Sequence, residues 1–232
     1  MGPRGRVRAQ ERAGRRYDRP RRLAARARPV SAVPKRLVVG ISGASGAVLG
    51  LRLLEALKGS DVETHVVVSP AGRRTLQEEA DATIEHVRAL ATCLYPHGDI
   101  GAALASGSFR TIGMVIAPCS IRTAAEISTG ITASLLSRAA DVTLKERRRL
   151  VLMVRETPLH TGHLRMLTAL SEAGAIIAPP VPAFYARPGT VDDIVRHNVG
   201  RVLDLFDIDV GWASRWRETT RPIAQAEEPE SE

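Results

Sequence analysis

The chain has 232 residues, 44% of them apolar, enough for one domain of ordinary size with a full core. No apolar run approaches the length that spans a bilayer, no apolar segment follows the first charges as in a secretory signal, and Cys93 and Cys119 alone make no disulfide framework. These features argue against a membrane, secreted or disulfide-stapled protein, and a cytoplasmic one is expected. The net charge of +8 suggests a nucleic-acid binder, but residues 1–34 hold eleven arginines against Glu11 and Asp18, a net +9, which leaves −1 for residues 35–232. The basic segment is rich in Arg, Pro and Ala and cannot bury enough apolar surface to fold alone. It reads as a disordered extension or an upstream start artefact, with a weak polyanion-binding arm as the alternative. For the rest of the chain no nucleic-acid partner is expected.

In chain order, Arg36–Ile41 reads as a short apolar strand, followed by the small-residue turn Ser42, Gly43, Ala44, Ser45 and Gly46. From Ala47, the spacing of Val48, Leu51 and Leu54 reads as the buried face of a helix. Glu63–Val68 is a second strand, leading through Ser69 into a helix that reaches Glu79. Residues 81–110 are mixed, with a Tyr95-Pro96-His97-Gly98 turn. Gly113–Ala117 is a third strand, ending at Pro118-Cys119-Ser120, and a helical stretch runs on to about Glu146. Leu150–Val154 is a fourth strand, His163–Ala173 a helix, Ala175–Ala178 a fifth strand and Thr190–Phe206 an amphipathic helix. The end of the chain is acidic and contains proline, a disordered tail by composition. Strands alternating with helices predict an α/β fold: a doubly wound, mostly parallel sheet with helices on both faces. The expected organisation is an Arg-rich disordered extension over 1–34, one domain over 35–210, and a helix remnant with an acidic disordered tail over 211–232.

In open parallel sheets ligands bind beyond the carboxyl ends of the strands. The polar residues there are Ser42 and Ser45, then Ser69, then Ser120 and Thr123, then Arg155 and Glu156. The turn at 42–46 opens a helix without bulky side chains, so free backbone N–H groups and the helix dipole make a ready anion site. Its glycines do not match the dinucleotide fingerprint or a phosphate loop with Gly-Lys-Ser/Thr, and a plain tight turn needing small residues for packing is the other reading. Each hydroxyl alone could equally be a helix N-cap. Arg155-Glu156, at the exit of a buried apolar strand, is the stronger signal. Arg138 and Lys145, seven apart, share one face of a helix, and could be a binding pair or a solvated face. Cys119, after an apolar strand with no base nearby in sequence, reads as a buried thiol. His160 and His163 lack a third ligand at metal spacing, so no metal site is expected.

Six motifs in order give a sharper expectation: Gly-Ile-Ser-Gly-Ala-Ser-Gly at 40–46, Ser-Gly-Ser-Phe at 106–109, Ala-Pro-Cys-Ser-Ile-Arg-Thr at 117–123, Arg-Ala-Ala-Asp-Val-Thr-Leu-Lys-Glu-Arg at 138–147, Arg-Glu-Thr-Pro-Leu-His at 155–160 and Pro-Ala-Phe-Tyr-Ala-Arg-Pro at 182–188. From about Lys35 to Phe206 the chain resembles the UbiX-type flavin prenyltransferases, within the wider class of Rossmann-like flavoproteins related to flavin-containing cysteine decarboxylases. The resemblance implies a metal-independent transferase that takes reduced FMN and dimethylallyl phosphate, joins the five-carbon unit to flavin N5 and C6, and makes prenylated FMN for a UbiD-type decarboxylase. It also implies a large homo-oligomer, commonly a dodecamer, with shared active sites. By motif, Gly43, Ala44, Ser45, Ser69, the turn Ser120, Ile121, Arg122 and Thr123, and Arg155 would hold the flavin. Ser106, Arg138, Lys145, Tyr185 and Arg201 would hold the prenyl substrate, with Tyr185 and Arg201 reaching across from a neighbouring copy. Glu156, Ser45 and Glu79 would be catalytic, Glu156 taking up a proton and kept ionised by Arg155. Cationic side chains suit a departing phosphate. The Arg-rich extension and the basic Arg122 depart from the family pattern. Two rival readings are a flavin-dependent cysteine-type decarboxylase, whose Asn/His substrate clamp has no match here, and an FMN-binding accessory subunit of an aromatic acid decarboxylase.

Overall fold

The structure, a computed structural model, describes residues 34–216, so the readings made for residues 1–33 and 217–232 lie outside it. Six strands form one sheet: β1 (Lys35–Ile41), β2 (Val62–Val68), β3 (Cys93–Tyr95), β4 (Gly113–Cys119), β5 (Arg149–Val154) and β6 (Ala175–Ile177). Every pairing is parallel, and the order is β3-β2-β1-β4-β5-β6. The order reverses between β1 and β4, and a crevice opens at such a point beyond the strands' carboxyl ends.

The helices are α1 (Ala47–Leu57), α2 (Pro70–Ala80), α3 (Ile84–Leu90), α4 (Ile121–Ser128), α5 (Leu135–Lys145), α6 (Thr161–Glu172) and α7 (Val191–Asp204). The strands are buried on both faces, and their side chains alternate between two cores. Leu37, Val39, Ile41, Val115, Ala117, Val151 and Met153 face α1, α3 and α7. Val38, Met114, Ile116, Leu150, Leu152 and Val154 face α4, α5 and α6. The sheet is therefore doubly wound, as the alternation of elements predicts.

Three local readings need correction. Residues 81–110 hold α3 and the edge strand β3, which escapes a search for apolar runs because it is three residues long with Cys93 exposed. The expected single helix reaching Glu146 is two helices, broken where Gly130 adopts a left-handed φ of 69°. Ser134 then restarts the chain as α5 through a capping box with Ser137. Between Asp204 and Trp216 no helix follows, so the described part of the 211–232 segment is not helical.

Burial lowers the basicity of His65, His97 and His197 below the usual 6.5. A histidine held neutral by the fold gives stability that is present above the unfolded value and lost as pH falls toward the folded one, because the unfolded chain then binds more protons. The melting temperature is therefore expected to fall steadily from pH 7.5 to pH 5, before carboxylates titrate. A flat profile across that window would contradict this assignment.

Candidate active site

At the carboxyl edge, beside the β1/β4 switch point, a cavity of about 500 Å³ is lined by Gly43, Ser69, Pro70, Ala71, Arg74, His97, Ser120, Arg122, Thr123, Glu126, Ala133, Ser134 and Leu136. The N-termini of α2, α4 and α5 all open onto it. The positive dipole ends of three helices favour an anion, although Pro70 at the α2 start has no N–H and the Leu135 amide at the α5 start already donates to the His97 carbonyl at 2.9 Å. The hydroxyls at these starts serve the fold first. Ser69 accepts from the Gly72 amide at 2.9 Å, and Ser120 accepts from the Thr123 amide at 3.2 Å and donates to the Thr123 hydroxyl at 3.1 Å. Ser42 is fully buried; it donates to the Pro118 carbonyl at 2.8 Å and accepts from the Ser120 amide at 2.7 Å, tying the exits of β1 and β4 together. Ser42 is thus a brace and not a ligand group, and Ser69 and Ser120 are helix caps whose hydroxyls also border the cavity.

The turn at 42–46 departs from the expected free anion site. The amides of Gly46 and Ala47, at the start of α1, donate to Glu79 at 2.7 and 3.2 Å. Burial pushes the Glu79 carboxyl up, but those amides, the Ser45 hydroxyl and the nearby charge of Arg155 outweigh it and hold the group below its usual range. The α1 start is therefore occupied by the chain's own carboxylate. Arg155 donates through Nε to the Ser45 carbonyl at 3.0 Å, locking the β5 exit to the first turn. Ser45, Glu79 and Arg155 form one cluster. Arg155 is hydrogen-bonded to the Ser45 carbonyl and its charge acts on Glu79, while exposed Glu156 accepts from the Thr157 amide at 3.0 Å.

Of the other expected flavin residues, Ala44 is buried beside Gly43, and Arg122 lines the cavity while pairing with Glu126 at 3.1 Å. Ile121 packs its side chain into the core beneath α4, so only its backbone sits at the helix start. Arg74, His97, Glu126 and Ser134 also line the cavity, and sequence reasoning missed them. The Ser134–Ser137 spacing carries a cap signal; nothing local marks the others, which the fold brings in from separate segments.

One chain does not assemble the expected substrate set. Arg138 pairs with Asp141 and Lys145 with Glu146 on α5, and Ser106 bonds Ser108 in a loop held by Arg148 through the Gly107 and Phe109 carbonyls. Lys145 closes α5, roughly 16 Å from the helix start at the cavity. Tyr185 and Arg201 lie on the other side of the sheet, with α7, where Tyr185 contacts His197 and Arg201 pairs with Asp204 at 2.8 Å. Burial pushes the Cys119 thiol up to about 12, as a buried thiol requires. Among the described residues no His, Cys, Asp and Glu cluster offers a metal site, and no helix is long and apolar enough to cross a membrane.

Residues 26–203 match the Flavoprotein family model. The flavin prenyltransferase UbiX of Thauera aromatica is 55% identical over 181 residues, covering 78% of this chain and 93% of that enzyme. UbiX of Escherichia coli K12 is 58% identical over 175 residues, covering 75% and 93%. The crystal structure of AnUbiX in complex with FMN and dimethylallyl pyrophosphate is 49% identical and superposes with a TM-score of 0.78, covering 79% of this chain and 98% of that one. A dodecameric FMN-dependent UbiX-like decarboxylase from Escherichia coli O157:H7, also 49% identical, gives 0.76 over 78% and 98%. With the doubly wound sheet, the anion-ready crevice and identity of this extent over nearly the whole described fold, the chain belongs to the UbiX family of flavin prenyltransferases.

Proposed function

We propose that this chain binds reduced FMN in the carboxyl-edge cavity and transfers a dimethylallyl group from dimethylallyl phosphate to it, yielding prenylated FMN for a UbiD-type decarboxylase in the cytoplasm. The observation that carries the flavin assignment is the convergence of three helix N-termini on one cavity, whose dipole ends suit a phosphate. Gly43, Ser69 and the Ser120–Thr123 turn would hold the phosphate end, and Arg155 would border the ring system. Bound flavin supplies the nucleophilic ring atoms and the π surface. The chain supplies position and charge: Arg138, Lys145 and Arg201, with the Tyr185 hydroxyl, receive the departing phosphate, and Glu156 accepts the ring proton.

Because Arg138 and Lys145 lie across the sheet from Tyr185 and Arg201, the set closes only when copies of the chain meet. The exposed apolar side chains support assembly of this kind. Phe184 is 77% and Val181 65% exposed beside Tyr185, and Leu164 on α6 is 52% exposed. Such surface is usually covered by a partner. A homo-oligomer of the dodecameric type fits this need.

The test is anaerobic incubation of the purified protein with reduced FMN and either dimethylallyl monophosphate or diphosphate, followed by mass spectrometry of the flavin. A five-carbon mass increase is expected without any added decarboxylase; an accessory subunit would give none. Mixed oligomers of Arg201→Ala and Ser45→Ala chains are expected to recover part of the activity that each lacks alone. No recovery with mixing confirmed would place the site within one subunit.

A further inference from the structure

We propose that His197 is a positioning residue that sets the hydrogen-bond direction of Tyr185, leaving the tyrosine hydroxyl proton free for the prenyl phosphate; the assignment rests on the reading of Tyr185 as a ligand of that phosphate. His197 is buried, 7% exposed, in the middle of α7. Its Nδ1 accepts from the Ser214 amide at 3.3 Å. A backbone N–H can only donate, so Nδ1 carries no proton and the ring hydrogen of the neutral imidazole sits on Nε2. Nε2 lies 3.4 Å from the Tyr185 hydroxyl, which must then accept this bond. The hydroxyl's single hydrogen points elsewhere, here to the Ser214 carbonyl at 3.4 Å. A phosphate oxygen arriving at Tyr185 replaces that long contact with a charge-assisted one. The ring stands edge-on to His197 with centroids 5.7 Å apart and to Trp216 at 5.4 Å, which limits how the phenol can swing.

The surroundings favour the neutral ring that this direction requires. Burial disfavours a charged imidazole, and so does Arg201, one helical turn further along α7; Asp204 opposes them, but it already pairs with Arg201 and with Arg215 from the following segment. His197 therefore stands between Tyr185 and Arg201, the two residues expected to act on the phosphate from this side of the sheet. It orders one and adds no charge beside the other.

The experiment uses the FMN-loaded protein and compares His197→Phe, His197→Gln, Tyr185→Phe and the Tyr185→Phe/His197→Phe double variant. His197→Phe keeps an aromatic ring but no donor. It is expected to lower kcat/KM for dimethylallyl phosphate about five- to tenfold, the span of one ordinary hydrogen bond, with FMN affinity nearly unchanged, while loss of the acceptor for the Ser214 amide lowers the melting temperature modestly. His197→Gln, whose amide can donate to Tyr185, is expected to recover most of the loss. In the double variant the histidine change is expected to add nothing to Tyr185→Phe. Calorimetric binding of dimethylallyl phosphate follows the same four variants without turnover. An unchanged His197→Phe, a parallel fall in FMN affinity and stability, a failed rescue by Gln, or additivity in the double variant would each overturn the assignment. Failure of the wild-type protein to convert FMN would overturn the proposed function instead, and the calorimetric comparison would still decide the role of His197.

Discussion

Replacing Glu156 by glutamine is expected to slow formation of prenylated FMN by about 10²–10⁴-fold, the usual range for loss of a positioned proton acceptor, while FMN and dimethylallyl phosphate still bind. The carboxylate stands at the exit of β5, exposed at the carboxyl edge where the parallel strands end. Its Oε1 accepts from the Thr157 amide at 3.0 Å. A glutamine carbonyl accepts the same bond, so the turn after Val154 keeps its shape, and the variant removes proton acceptance with little else. Arg155 remains on the Ser45 carbonyl in either form, so the anchoring of the first turn does not depend on residue 156. The measurement is single-turnover product formation by mass spectrometry, with flavin binding followed in parallel by calorimetry. A normal rate would remove Glu156 from the chemistry and turn attention to Glu79. An equal loss of rate and FMN affinity would make Glu156 part of the flavin site.

The strand-end logic of the sequence holds best where the signal is local. Gly43, Ser69, Ser120 and Thr123 come to one cavity because each follows, or lies one turn beyond, a strand whose apolar run is easily seen. What each group does there is less visible. The hydroxyls of Ser42, Ser69 and Ser120 look alike in sequence, yet one braces two strands and two cap helices, and only the packed structure separates these roles. Glu79 lies 33 residues from Gly46, and the closing of the α1 start by its carboxylate is a tertiary event that no spacing rule predicts. The same limit applies to Arg74 and His97, which reach the cavity from a helix face and from the segment after an inconspicuous edge strand. The division of Arg138 and Lys145 from Tyr185 and Arg201 by the sheet follows from topology. Right-handed crossovers put α1 and α3 on one face and α4, α5 and α6 on the other, and α7 then covers the α1 face after the last strand.

Gly43→Ala is expected to cost about 1–3 kcal/mol of stability by overpacking and to weaken FMN binding at least about tenfold, and Ala71→Gly in the same chain is expected to restore both. A Cβ on Gly43 would lie 2.3 Å from the Ala71 Cβ and 3.3 Å from the Ala71 carbonyl carbon. Gly43 is not among the residues with a left-handed φ, so the backbone itself accepts alanine, and the obstacle is the methyl of Ala71. Ala71 is the second residue of α2, and both residues line the cavity. Two methyls at that separation force the first turn and the α2 start apart, by about 1 Å or more. Hydrogen bonds weaken steeply over such a shift, so amide donors aimed at a bound phosphate lose their geometry. Ala71 is exposed, and glycine there removes the clash for at most about 0.5–1 kcal/mol of helix propensity. Residues in direct contact commonly show coupling of roughly 0.5–3 kcal/mol in a double-mutant cycle, which melting temperatures and FMN titrations of the four proteins would measure. The cycle also divides the two readings of the turn. Rescue by Ala71→Gly means that Gly43 is small because α2 packs against it. Recovery of stability without recovery of FMN binding means that the flavin itself approaches Gly43 too closely for a methyl. A Gly43→Ala protein that is stable and binds FMN normally would show that the turn yields, and neither reading would stand.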